Sequence, residues 1–208
     1  IYPFGDNCYL RSDMYHQYAP FFKELWRKLA HGESLSYSWD IGMGTNFTAL
    51  YAYYLASPVN WLIVLFPQKY IIEIMNAIII IKASLASVAF TYYISRHFNN
   101  KSCTIALFGM IYGMSGFIAA YSWNIMWLDC IVMLPLVMLG LERLVNENKC
   151  LLYCISLGFC IYTNYYIAIM ICISVVLYFV VLMFVYNRNR SFKIYPVSYT
   201  HLTLPTIA

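Results

Sequence analysis

The chain has 208 residues, of which 62% are hydrophobic, 19% aromatic and only 11% charged, and its mean hydropathy is +0.64. A soluble domain carries about 25% charged and about 45–50% apolar residues, and a small globule leaves too much surface in water to hide such an excess. An ordinary soluble domain, a disordered chain and a collagen-like fibre are excluded, and the composition is that of a polytopic membrane protein. The net charge of +4 is dispersed in small basic groups between apolar runs. No clustered basic face predicts a nucleic-acid partner. Six of the seven cysteines lie in or beside apolar runs, where Cys acts as a small hydrophobe. Neither a disulfide framework nor a metal spacing such as CxxC is expected.

The chain opens on Ile1-Tyr2-Pro3-Phe4-Gly5-Asp6, without Met or signal peptide, and reads like the exit from an upstream membrane helix. Five of the nine acids fall in the first 40 residues: Asp6, Asp13, Glu24, Glu33 and Asp40. Residues 14–31 carry a helical pattern, with Tyr15, Tyr18, Phe22, Leu25, Trp26 and Leu29 at spacings of three and four. Gln17, Lys23, Glu24, Arg27 and Lys28 occupy the other face. Ser12 or Asp13 is a natural N-cap and Gly32 a natural stop. The expectation is an amphipathic helix on the membrane surface, basic on its wet side, within a polar loop spanning residues 1–46. Gly42-Met43-Gly44 is too short for a phosphate loop and reads as a turn leading back to the membrane. Phe47–Phe66 is apolar and one span long, but Ser57-Pro58 splits it. Residues 47–70 are read as short interfacial or re-entrant helices. The alternative, a true span, would put residues 1–46 in the cytoplasm.

The rest is an all-α, polytopic transmembrane helical bundle over 71–187. Ser102–Leu128 carries no charge, and neither does Cys150–Asn187, whose polar midpoint at Thr163-Asn164-Tyr165-Tyr166 marks a turn. About five spans follow, at 72–95, 103–121, 125–142, 150–163 and 167–186. Arg96, His97 and Lys101 follow the first, Arg143 and Lys149 the third, and Arg188, Arg190 and Lys193 the fifth. The positive-inside rule makes that side cytoplasmic, including the basic loop 188–194, and puts the aromatic turns at 122–124 and 163–166 outside. The final stretch, 195–208, has the look of translated sequencing-adapter read-through and is set aside.

Several membrane-level residues are candidates for binding. Lys82 lies about 15 Å into its span, where a buried ammonium is costly and marks a functional position. It either binds an anion, snorkels, or pairs with an acid not identified from sequence. Asp129 sits just inside the outer end of its span, and either joins a site or faces the interface. Asn164, Tyr165 and Tyr166 form the second aromatic turn. The two tyrosines can stack on a sugar ring or belong to the interfacial belt.

A set of short motifs then recurs in a recognisable order. Gly5-Asp6, Ser12-Asp13 and Gln17-Tyr18-Ala19-Pro20-Phe21-Phe22 are followed by Tyr37-Ser38-Trp39-Asp40-Ile41-Gly42-Met43-Gly44-Thr45-Asn46 and Tyr53-Tyr54-Leu55-Ala56-Ser57-Pro58-Val59-Asn60. Trp127-Leu128-Asp129, Leu134-Pro135-Leu136, Gly140-Leu141-Glu142 and Asn164-Tyr165-Tyr166-Ile167 complete the set. This order, over about residues 3–190, resembles the YfhO family of bacterial membrane proteins, which in turn resembles the GT-C glycosyltransferases. The resemblance implies a multi-pass protein of the bacterial cell membrane, here an N-terminal fragment lacking its first helix. It implies transfer of a sugar from a polyprenyl-phosphate donor to a cell-envelope glycopolymer such as lipoteichoic acid, on the outer face. It makes Asp13 the first choice of base for the acceptor hydroxyl and Asp6 the second, with His16, Gln17 and Tyr18 beside them. His16 either pairs with Asp13 or is a plain surface residue. A divalent cation between Asp6 and Asp13 is possible, although two acids and one His fall short of a full site. The rival readings are a lipid or glycolipid transporter or flippase, and a non-catalytic envelope-assembly protein.

Overall fold

The computed structural model describes residues 13–186. Helix follows helix almost without interruption, and the described strands are two residue pairs. A π-helical turn (Met14–Tyr18) runs into α1 (Ala19–His31). A two-residue hairpin, β1 (Tyr37–Ser38) with β2 (Thr45–Asn46), pairs antiparallel. Then come α2 (Phe47–Leu50), a second π-helical turn (Tyr51–Leu55) and a 3-10 helix (Pro58–Leu65). The membrane part consists of α3 (Ile71–His97), α4 (Cys103–Gly113), α5 (Gly116–Tyr121), α6 (Ile125–Glu147), α7 (Leu151–Thr163) and α8 (Tyr165–Tyr186). Four stretches are long and apolar enough to cross a bilayer: Gln68–His97, Cys103–Tyr121, Ile125–Glu147 and Tyr165–Phe184.

The N-terminal helix differs from its expected pattern in two ways. Met14, Tyr18, Phe22 and Leu25 form the buried stripe, while Tyr15 stays 65% exposed. Pro20 has no N–H to continue the i→i−4 ladder, and the wider turn before it shifts the inward face by one residue. The second difference concerns charge. Glu24 and Lys28, expected on the wet face, are buried. The loop between α1 and β2 folds over them. Lys28 Nζ donates to the carbonyls of Ser34 and Tyr37, both at 2.9 Å. Ser38 Oγ donates to Glu24 at 2.6 Å, and Arg27 bridges Glu24, Glu33 and Asp40. Hydrogen bonds from Arg27, opposed by burial and helped by Ser38, hold the Glu24 carboxyl below its usual range. Gly32 ends α1 in the left-handed conformation (φ 67°), as expected. Gly42, Met43 and Gly44 all have positive φ and make the hairpin turn.

The segment 47–66 starts and ends on the same helix. Lys28 Nζ lies 5.3 Å from the Phe47 ring centre, and Trp26 Nε1 donates to the Phe66 carbonyl at 2.8 Å. Its two helical halves meet at an angle of 105°. A straight 20-residue helix would carry its ends about 30 Å apart, so this segment doubles back on itself, with Ser57-Pro58 at the bend.

In the bundle, α3 packs on α4 and α6, and α6 packs on α7 and α8. One core joins α1, the bent segment 47–66, the first half of α3 and the start of α6. The other joins α6, α7 and α8. At the end bearing Arg96 and Arg143, the Glu142 carboxylate of α6 accepts from Tyr93 at 3.0 Å, from His97 Nδ1 at 2.8 Å and from Tyr178, tying α3, α6 and α8 together. Helix α7 is short: 13 residues rise only about 20 Å, against a hydrocarbon core of about 30 Å. Its last turn stops level with Cys130, whose thiol is 3.6 Å from the Cys160 carbonyl and 3.7 Å from that of Asn164.

The α6–α7 contact depends on Gly140. A Cβ there would sit 2.6 Å from the Tyr153 nitrogen and 2.7 Å from its Cα. Backbone cannot rotate away, so Gly140→Ala must push the helices apart. We expect a loss of about 2 kcal/mol, read by thermal unfolding in detergent. Gly158→Ala meets nothing within 4 Å and should leave the transition unchanged or slightly raised; equal behaviour of the two variants would refute the close-packing argument.

Candidate functional site

The site is built where the N-terminal helix crosses the ends at which α3, α6 and α8 begin. Asp13 opens the helix at the N-cap position, but its backbone is already helical (φ −63°, ψ −18°) and its side chain caps nothing. Among the described residues no hydrogen bond engages its carboxylate. It is partly buried, next to the phenols of Tyr18 and Tyr54. Burial pushes the Tyr18 hydroxyl well above its usual range, and Tyr54, Tyr53 and the Asp13 charge add to the push. The same charge acts on Tyr54, again behind burial.

Tyr18 Oη donates to Asn124 Oδ1 at 3.1 Å, which fixes the helix to the start of α6. From Tyr18 an arc of rings crosses the face. Tyr18 meets Tyr54 edge-on at 5.5 Å, Tyr54 meets Tyr53 at 4.6 Å, and Tyr53 meets Tyr165 at 5.6 Å. Trp127 stacks on Tyr166 at 6.1 Å. Asn164 is buried at the start of α8, where its Oδ1 accepts from the Ile167 N–H at 2.9 Å. Its Nδ2, and the indole Nε1 of Trp127, are buried donors without a partner among the described residues. Such donors are rare in native folds and mark places where a ligand oxygen can be accepted.

Beneath this arc lies an ion pair. Lys82 Nζ is 2.7 Å from Asp129 Oδ2 and also donates to the Ile125 carbonyl at 3.1 Å, while Ser57 Oγ donates to Asp129 Oδ1 at 2.9 Å. Both charged side chains are buried, at 1% and 5% exposure. Lys82 is therefore held by an acid and does not reach an open surface, and Asp129 does not face the interface. Each resolves the other's ambiguity.

The structure thus brings together Asp13, Tyr18, Tyr165, Asn164 and, through Trp127, Tyr166, with Lys82 and Asp129 below them. His16 does not join. It is exposed, its ring set edge-on to Tyr15 at 5.3 Å. Gln17 is half-buried and makes no described contact with Asp13. Asp6 lies outside the described residues, as do 188–194 and 195–208. Among the described residues no three His, Cys, Asp or Glu side chains gather to hold a metal ion. Sequence reasoning missed Tyr53, Tyr54, Ser57 and Asn124. The string Tyr53–Asn60 enters the sequence reading as a family motif and as a helix break but not as a site, although four polar side chains beside a proline bend are a signal of irregular backbone that must be satisfied.

An amphipathic helix bonded across a bundle of helices long and apolar enough to span a bilayer defines a multi-pass membrane protein. The family model of the bacterial membrane protein YfhO matches residues 1–204, and the chain belongs to that family. The match passes residue 190, where the motif resemblance ended, and takes in most of 195–208. No curated protein and no solved structure matches the chain.

Proposed function

We propose that this protein is a membrane glycosyltransferase of GT-C type, taking a sugar from a polyprenyl phosphate and passing it to an envelope glycopolymer outside the membrane. The observation that carries the reading is Asp13: a carboxylate at the mouth of a ring-lined surface, unbonded among the described residues, and supported by a helix that is itself pinned through Tyr18. In this reading Asp13 takes the proton of the acceptor hydroxyl as its oxygen attacks the anomeric carbon. The bond from that carbon to the lipid phosphate breaks, and the phosphate leaves with the bonding pair. The faces of Tyr53, Tyr54 and Tyr165 offer stacking surfaces for sugar rings, and Trp127 Nε1 and Asn164 Nδ2 offer donors for its oxygens. Asp6 serves as a second acid in this reading, and a divalent cation is compatible with it. The direct test is sugar transfer by the full-length protein in vesicles. Asp13→Asn should abolish it, and undiminished transfer would sink the assignment.

The reading also requires an outer location. Met43, at the tip of the hairpin, is 96% exposed. A Met43→Cys variant in an otherwise cysteine-free full-length protein should react with a membrane-impermeant thiol reagent on intact cells. Labelling only after lysis would place the site in the cytoplasm and overturn transfer at the outer face.

A further inference from the structure

We infer that the end of the bundle remote from Asp13 carries a binding site for the phosphate of one anionic phospholipid, held between Arg96 of α3 and Arg143 of α6. The site is independent of the sugar-transfer reading. A cavity of about 250 Å³ opens where α3 and α6 end, with Arg96, Asn99 and Arg143 in its lining and Leu139 as its apolar wall. Two acids, Glu142 and Glu147, also line it. Both already have partners. Glu142 accepts from Tyr93, His97 and Tyr178, and Glu147 is paired with Lys149 at 2.9 Å. Neither arginine is ion-paired with a described residue; both meet Tyr92 instead.

Arg143 Nη2 donates to the Tyr92 hydroxyl at 3.4 Å, and the Arg96 guanidinium lies 5.3 Å from the same ring's centre. Helix C-termini favour basic side chains, which accounts for each arginine singly but not for two like charges brought to one phenol. An anion between them relieves their repulsion. A phosphate suits the place, because a guanidinium presents a planar fork of donors that matches phosphate oxygens. The surroundings favour a lipid as its source. Tyr92 belongs to a stretch long and apolar enough to cross a bilayer and is exposed, as is Phe98 just past the end of α3. The cavity therefore lies where hydrocarbon gives way to headgroups. Helix α3, with 27 residues, is about 40 Å long. With Asp13 outside, this end meets the inner leaflet, whose anionic lipids bind basic pockets between helices.

Native mass spectrometry of the full-length protein, titrated with phosphatidylglycerol, tests this. The wild type should retain one molecule and hold phosphatidylcholine of the same chains more weakly. Arg96→Gln/Arg143→Gln should weaken phosphatidylglycerol binding at least about tenfold, as expected for two lost charge-assisted contacts. Arg96 is exposed, so Arg96→Gln alone should fold normally and weaken binding by a smaller factor, which keeps the test available if the double variant does not fold. Lys101→Gln removes a positive charge from the same end at an exposed position outside the cavity, and should leave binding unchanged. Equal weakening by Lys101→Gln and Arg96→Gln would show diffuse attraction to a basic surface and overturn the site, as would wild-type affinity in the double variant. Release of the lipid by an equal concentration of inorganic phosphate would make the ligand a free ion and overturn the lipid assignment.

Discussion

Asp129→Ala should destabilise the protein by about 3–5 kcal/mol, because it leaves the Lys82 ammonium buried without a counter-charge. The carboxylate now meets that ammonium at 2.7 Å and the Ser57 hydroxyl at 2.9 Å. Lys82→Met alone strands the carboxylate and should cost a comparable amount. The combined Lys82→Met/Asp129→Leu variant removes both charges and keeps the volume, so most of the loss should return. Ser57→Ala removes one bond to a carboxylate that keeps its lysine, and should cost about 1–2 kcal/mol. Thermal unfolding in detergent reads all four. Single variants as stable as the wild type would show that the pair is not buried together. The combined variant also separates structure from chemistry. If the pair only clamps α3 to α6, the double variant is stable and active; if Lys82 releases Asp129 to meet a phosphate, it is stable and inactive.

Asp13→Asn should lower the transfer rate by about 10²–10⁴-fold, the usual contribution of a positioned general base, with little change in unfolding temperature. The second half of that expectation comes from the structure: the Asp13 side chain caps no helix N–H and takes part in no described hydrogen bond. An isosteric amide therefore breaks no bond among the described residues. Tyr18→Phe provides the contrast. It keeps the buried ring and deletes the bond to Asn124 at 3.1 Å, so it should lower stability by about 1–2 kcal/mol and lower the rate only as far as the helix shifts. A large drop in both measurements for Asp13→Asn would make it a structural acid.

The membrane helices were legible because each needs a long apolar run and little else. The expected spans 72–95 and 125–142 appear as Ile71–His97 and Ile125–Glu147. The helix 167–186 begins two residues earlier, at Tyr165, because Asn164 caps it. The span 103–121 is broken at Met114-Ser115 into α4 and α5, a break that uncharged composition does not reveal. Periodicity failed in the head for physical reasons. A π-helical turn moved the buried face from Tyr15 to Met14, and a loop from further along the chain covered Glu24 and Lys28. No pattern within residues 14–31 encodes that cover. The Lys82–Asp129 pair joins positions 47 apart and depends on the register of α3 against α6, so each residue alone stayed ambiguous. The motif order carried the family where single residues could not.

Helix α7 stops about 10 Å short of a bilayer's hydrocarbon thickness, and its end lies level with Cys130 rather than with the start of α6. The wall of the bundle is therefore low along α7, forming a notch at the end where Tyr53 touches Tyr165. Lipids beside so short a wall are drawn inward, and the leaflet sags toward it. A molecule anchored in that leaflet can slide sideways into the notch without being lifted toward water. Encounter with the site then takes place in two dimensions, set by how densely the anchored molecule populates the leaflet rather than by any concentration in the surrounding fluid.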